Sequence, residues 1–103
     1  MTLEDIRTLL ANVDPDIRHY FSEEPSQDYS YWEETRRLPF MADDLHEEGW
    51  RFYVHRFTRD ERDPIAPRLF AALESDPGTT VAWRVDHEPD SGYIHHIFEC
   101  EGY

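Results

Sequence analysis

The chain contains no lysine; all ten of its basic residues are arginine, set against twenty-three carboxylates for a formal net charge of −13. A surface this acidic repels phosphate, which disfavours free nucleic acid and anionic membranes as partners and leaves no expectation of sequence-specific nucleic-acid binding. Cysteine occurs once, at Cys100. That excludes an intrachain disulfide and every multi-cysteine zinc pattern, and it makes a reducing cytoplasm the natural home. The four glycines form no phosphate-cradling loop. No run approaches the roughly 20 apolar residues of a membrane span, and the first residues lack the basic and apolar regions of a signal peptide. A soluble chain that is not exported by that route is expected.

What is present argues for one folded domain over residues 1–103. A chain of 103 residues is long enough for one modest core and too short for two. Apolar residues make up 39% and aromatics 15%, and large aromatic side chains supply the burial that a disordered acidic chain lacks.

Hydrophobic periodicity places the elements. Thr2 and Asp5 form a capping-box pair ahead of Leu3, Ile6, Leu9, Leu10 and Val13 at helical spacing. Asp14-Pro15 reads as a second helix start, with Ile17, Tyr20 and Phe21 on a short turn. Residues 22–27 have loop composition, and residues 29–34 have the β propensity of a strand. Residues 35–48 hold Arg36-Arg37, the apolar island Leu38-Pro39-Phe40-Met41 and an acidic segment from Asp43 to Glu48. They read as a long excursion between strands, with room for a helical turn.

The second half is the most legible. Trp50, Phe52 and Val54 alternate with Arg51, Tyr53 and His55 in a strand over residues 49–58. Asp63-Pro64 opens a helix over residues 63–75 with Ile65, Leu69, Ala72 and Leu73 on one stripe; Pro67 is expected to loosen its first turn. Val81, Trp83 and Val85 mark a half-buried strand over residues 81–87. After a turn at residues 88–92, Ile94, His96, Phe98 and Cys100 alternate against Tyr93, His95, Ile97 and Glu99. The expected fold is α+β, with one mainly antiparallel sheet of about four strands, helices packed on one face, and the order α-β-β-α-β-β.

No catalytic, cofactor or metal site emerges. His95 and His96 are adjacent on a strand and so point to opposite faces. A metal site needs His96 with Cys100 on one face, or His95 with His55 across strands, and neither matches a ligand-spacing motif. Cys100 lies too near the end of the chain for an oxyanion-hole loop to follow it, and reads as a packed strand cysteine. The pairs Asp43-Asp44 and Glu47-Glu48 read as solvated surface. A non-enzymatic chain without cofactor is expected. One further reading of the charge is mimicry of DNA by Glu23, Glu24, Asp28, Glu33, Glu34 and the acidic segment from Asp43, as an inhibitor of a basic nucleic-acid-binding enzyme.

The element order, the run Gly49-Trp-Arg-Phe-Tyr-Val-His-Arg-Phe-Thr58, the link Asp63-Pro64-Ile65 and the closing Asp90-Ser91-Gly92-Tyr93-Ile94-His95-His96-Ile97-Phe98-Glu99 together resemble the tail terminator proteins of long-tailed phages and prophages, also called tail completion or head-tail joining proteins. The resemblance implies a structural protein of virion assembly. It implies a homo-oligomeric, hexameric ring that caps the tail tube and joins it to the head connector, with tail tube protein and connector protein as partners. It also implies a location in the virion tail, or in the host cytoplasm during assembly. A closed ring uses heterologous interfaces, and an acidic lumen lets DNA pass without sticking. The excursion over residues 35–48 is expected to touch a partner.

Overall fold

The computed structural model describes residues 1–21, 27–42 and 45–103, with the side chains of residues 40–42 and 45–48 left aside. The protein is α+β, with two helices and one mixed five-stranded sheet. In chain order these are α1 (Leu3–Ala11), β1 (Arg18–His19), β2 (Tyr29–Ala42), β3 (Leu45–Thr58), α2 (Ile65–Ser75), β4 (Thr79–His87) and β5 (Ile94–Gly102). Across the sheet the order is β1-β2-β3-β5-β4. Every pairing is antiparallel except β1 with β2, which is parallel. The expectation of about four strands in the order α-β-β-α-β-β is thus short by one strand, β1.

That strand stands where a second helical turn was expected. The Asp14 carboxylate accepts the Asp16 N–H at 3.1 Å, and the Ile17 N–H bonds back to the Asp14 carbonyl. This Asx-type turn redirects the chain instead of starting a helix. Arg18 and His19 then lie beside Tyr31 and Trp32, and Tyr20, in the left-handed region at φ 68°, ends the strand.

Helix α1 starts as its sequence dictates. Thr2 Oγ1 accepts the Asp5 N–H and the Asp5 carboxylate accepts the Thr2 N–H, at 3.1 and 2.8 Å. Helix α2 begins two residues later than expected, at Ile65. Pro67 is its third residue, where the first turn has no intrahelical acceptor for an N–H in any case, so the helix is not loosened. Asp63 lies just outside and accepts the Ala66 N–H at 3.0 Å.

The largest departure concerns residues 35–48. They are not an excursion: β2 runs on to Ala42 and β3 begins at Leu45, making one hairpin of two 14-residue strands. A register shift between Glu34 and Arg36 inserts Thr35 as a bulge, after which Arg36↔Arg51 continues to Ala42↔Leu45. Strand pairing overrides the weak local pattern, and Pro39 is tolerated because β2 is an edge strand there. Asp43 and Asp44 lie outside the described residues. Beyond Trp50, toward the hairpin tip, β3 has no strand partner but β2 among the described residues, because β5 stops opposite Trp50 at Gly102. The outer hairpin therefore projects, giving extents of 50 × 25 × 22 Å and a radius of gyration of 14.3 Å, against about 13 Å for a compact chain of this length.

Both helices pack on one face. Ile6 and Leu10 of α1 and Ala66, Leu69 and Leu73 of α2 meet Trp32, Phe52, Val54, Phe98 and Cys100 in the main core. The opposite face carries a second, smaller cluster of Tyr29, Phe57 and Tyr93 with Tyr31 beside it. Strand β4 is less covered than its alternation implies: Val81 is half-buried, but Trp83 and Val85 remain 38% and 43% exposed at the sheet edge.

Candidate functional site

The helix-free face gathers most of the groups that can do chemistry. Tyr31 and Glu33 on β2, Tyr53, His55 and Phe57 on β3, and His95 and Ile97 on β5 share it, because side chains alternate along each strand and the registers place Tyr31↔His55↔Ile97 and Phe57↔His95 side by side. His55 and His95, on neighbouring strands, come into contact at 2.8 Å between Nδ1 and Nε2. Their centroids are 5.0 Å apart, as the contact plus one ring radius on either side requires when two rings meet edge to edge.

Each imidazole turns its other nitrogen toward a carboxylate. His55 Nε2 is 3.3 Å from Glu33 Oε1, and His95 Nδ1 is 3.9 Å from Glu88 Oε1. Tyr31 stacks on His55 at 4.4 Å and Phe57 on His95 at 4.0 Å. Burial drives the His55 pKa down against the opposing pull of Glu33. Burial, together with the neighbouring His55, brings that of His95 down to about 4. Both rings are therefore neutral at pH 7, joined by one N–H···N bond, and burial beside Glu33 raises the Tyr31 phenol.

The pair can pass a proton, and the one cysteine of the chain is not within its reach. Cys100 is on the other face, buried, with its thiol pushed up to about 12 by burial and by Glu99. His96 shares that face with Cys100 as its sequence position requires. Four residues along a strand separate their Cα atoms by about 13 Å, too far to ligate one ion. His96 instead accepts the Trp83 indole N–H at 3.0 Å. Among the described residues no group of three or more His, Cys, Asp or Glu is placed to hold a metal ion.

Periodicity gave one unread signal. Arg56 has the same parity as Phe52 and Val54, which puts a guanidinium on the core face. It is 8% exposed and forks onto Asp63 through Nε and Nη2 at 3.1 and 3.0 Å, with Ser30 Oγ at 3.3 Å. Asp14 and Asp28 lie at 3.9 and 4.0 Å. Burial opposes ionisation of Asp63, yet the Arg56 fork and the Ala66 N–H hold its carboxyl below the usual range. A charge at a core position, followed seven residues later by a helix-start Asp, is how this brace was legible in the sequence.

Several carboxylates counted toward DNA mimicry are engaged internally. Asp28 accepts Thr58 Oγ1 and the Arg59 N–H at 2.7 and 3.2 Å. Glu34 accepts the Tyr20 hydroxyl and meets His19 Nε2 at 2.7 Å, and His19 is stacked between Tyr20 and Trp32. Glu33 faces His55. Glu23, Glu24, Asp43 and Asp44 lie outside the described residues, as do the side chains of Glu47 and Glu48.

No protein-family model matches the chain, and no curated protein matches it in sequence. Among the described residues no helix is long and apolar enough to cross a membrane.

Proposed function

We propose that the chain is a structural, non-enzymatic tail terminator of a long-tailed phage or prophage. It would assemble as a hexameric ring on the end of the tail tube and join the tube to the head connector. The observation that carries this reading is the outer half of the β2–β3 hairpin, a two-stranded arm that leaves the body with no further strand paired on either edge among the described residues. A two-stranded ribbon is marginal alone in water, and its free backbone edges suit it to a neighbouring chain. A ring needs different patches on the two sides of each subunit. An arm on one side of a compact body supplies such an asymmetry, and a chain of net charge −13 gives passing DNA nothing to adhere to.

The inhibitor reading loses weight because Asp28 and Glu34 are bonded within the fold and so are poorly placed to stand in for phosphates. Incubation of the purified chain with isolated tail tubes, followed by negative-stain microscopy, tests the proposal. Annular caps on one end of the tubes are expected. Tubes left bare, together with tight, salt-sensitive binding to a basic DNA enzyme, would transfer the charge to mimicry.

A further inference from the structure

The two outer edges of the sheet are unequally defended. On the β2 side, β1 covers Tyr31 and Trp32, a bulge interrupts the strand at Thr35, and Pro39 removes a donor; these devices prevent strands from adding to an edge. On the other side β4 pairs with β5 in unbroken register over all nine residues, without proline or bulge. Its outer edge carries the exposed side chains of Trp83 and Val85.

The direction of its backbone groups follows from the bonds at its two ends. The Glu88 N–H donates to the Tyr93 carbonyl and the Tyr103 N–H to the Gly78 carbonyl. Both pairs continue the β4–β5 register, so even-numbered residues of β4 spend their backbone groups on β5. In an antiparallel ladder the alternate residues then face outward: Thr79, Val81, Trp83, Val85 and His87.

We propose that this edge is the site of a two-fold contact with a second copy of the chain, with β4 pairing antiparallel to itself about Trp83. The strand Thr79–His87 has Trp83 at its midpoint. In that register Trp83 faces Trp83 of the second copy, Val81 faces Val85 and Thr79 faces His87; all turn their backbone groups outward except that the Thr79 N–H is taken by the Asp76 carbonyl at 3.1 Å, so the central pairs carry the contact. On the opposite face Ala82 meets Arg84 and Thr80 meets Asp86, so no like charges lie directly opposite. Charge also selects this edge. In a chain of net charge −13 most surfaces repel a second copy, whereas β4 holds Arg84 and Asp86 and is neutral. The pairing joins two five-stranded sheets into one and buries the exposed Trp83 and Val85. It stops at two copies, and so is separate from the head-to-tail contacts of a ring.

Sedimentation of the full chain over a wide concentration range, alone and as variants, tests this. The wild type should associate reversibly from one copy to two. Val85→Pro removes an outward N–H and leaves the β5 ladder intact; since the symmetry applies the loss twice, the dimer should weaken on the order of 10- to 30-fold. Ala82 provides an independent check at an exposed position. Ala82→Arg sets like charges against Arg84 of the second copy and should weaken the dimer, while Ala82→Glu should strengthen it. Their effects on the single chain run the other way, because Ala82 lies opposite Glu99 within its own sheet. A wild type that remains a single copy throughout, or variants that associate as the wild type does, would overturn the pairing. A wild type that caps tail tubes yet never forms a dimer sensitive to Val85→Pro would also overturn it while leaving the tail-terminator reading intact. A dimer broken by Val85→Pro, with no capping of tail tubes, would do the reverse.

Discussion

The inner and outer halves of the β2–β3 hairpin share two strands and one hydrogen-bond ladder, yet they have opposite fates. In the inner half Trp32, Phe52 and Val54 are at most 1% exposed, with β5 on one flank and both helices above. In the outer half the strands pair only with each other among the described residues; Leu38 is buried at the arm's base, where the Tyr103 ring lies so close to Gly49 that a Cβ there would meet it at 2.7 Å. The contrast shows that backbone pairing alone does not build a core. Burial by neighbours stabilises the inner half, whereas the outer half has the backbone ladder of one hairpin.

Four measurements break or sharpen this contrast. Phe52→Ala, in the inner half, should lower the unfolding free energy by about 3–5 kcal/mol, since the ring is fully buried in the main core; denaturant titration reads this directly. Asp63→Ala removes the fork from Arg56 and the acceptor of the Ala66 N–H. It should cost roughly 2–3 kcal/mol, at the low end for a broken buried pair, because Asp14 and Asp28 remain nearby.

Acid provides the third. His55 and His95 have folded pKa values below the ordinary 6.5, so the unfolded chain takes up their protons first. Their contribution is fully present above pH 6.5 and is lost as pH falls from there toward about 4, the folded value for His95. His95→Gln should flatten that slope of stability against pH, and an unchanged slope would show that the pair is not held neutral by the fold. The smallest effect is expected from the arm. Deleting residues 39–45 spares the buried Leu38 and leaves a three-residue loop between Leu38 and Gly49, which already face each other, and should change stability by less than about 1 kcal/mol. A loss as large as that of Phe52→Ala would erase the distinction between the two halves.

Much of the body was legible in the sequence. The capping box of Thr2 and Asp5 is the bonded pair its residues implied, and the alternation of Trp50, Phe52 and Val54 against Tyr53 and His55 sorted β3 correctly between faces. The same alternation separated His95 from His96 and identified His55 with His95 as a cross-strand pair, though it gave no hint that the rings would touch. The arm was misread because Leu38-Pro39-Phe40-Met41 and the acidic residues after it alternate poorly, and their pairing is set by the partner strand and by the bulge at Thr35. Strand β1 was missed because two residues carry no period. Its placement depends on the turn at Asp14 and on the stacking of His19 on Trp32.

The claim that the arm meets another chain is tested most directly by comparing the full chain with the residue 39–45 deletion for capping of isolated tail tubes, scored as annular ends in negative stain. The account predicts that the deletion folds, judged by a cooperative unfolding transition like that of the full chain, and fails to cap. Deleted chains that cap tubes as the full chain does would contradict it.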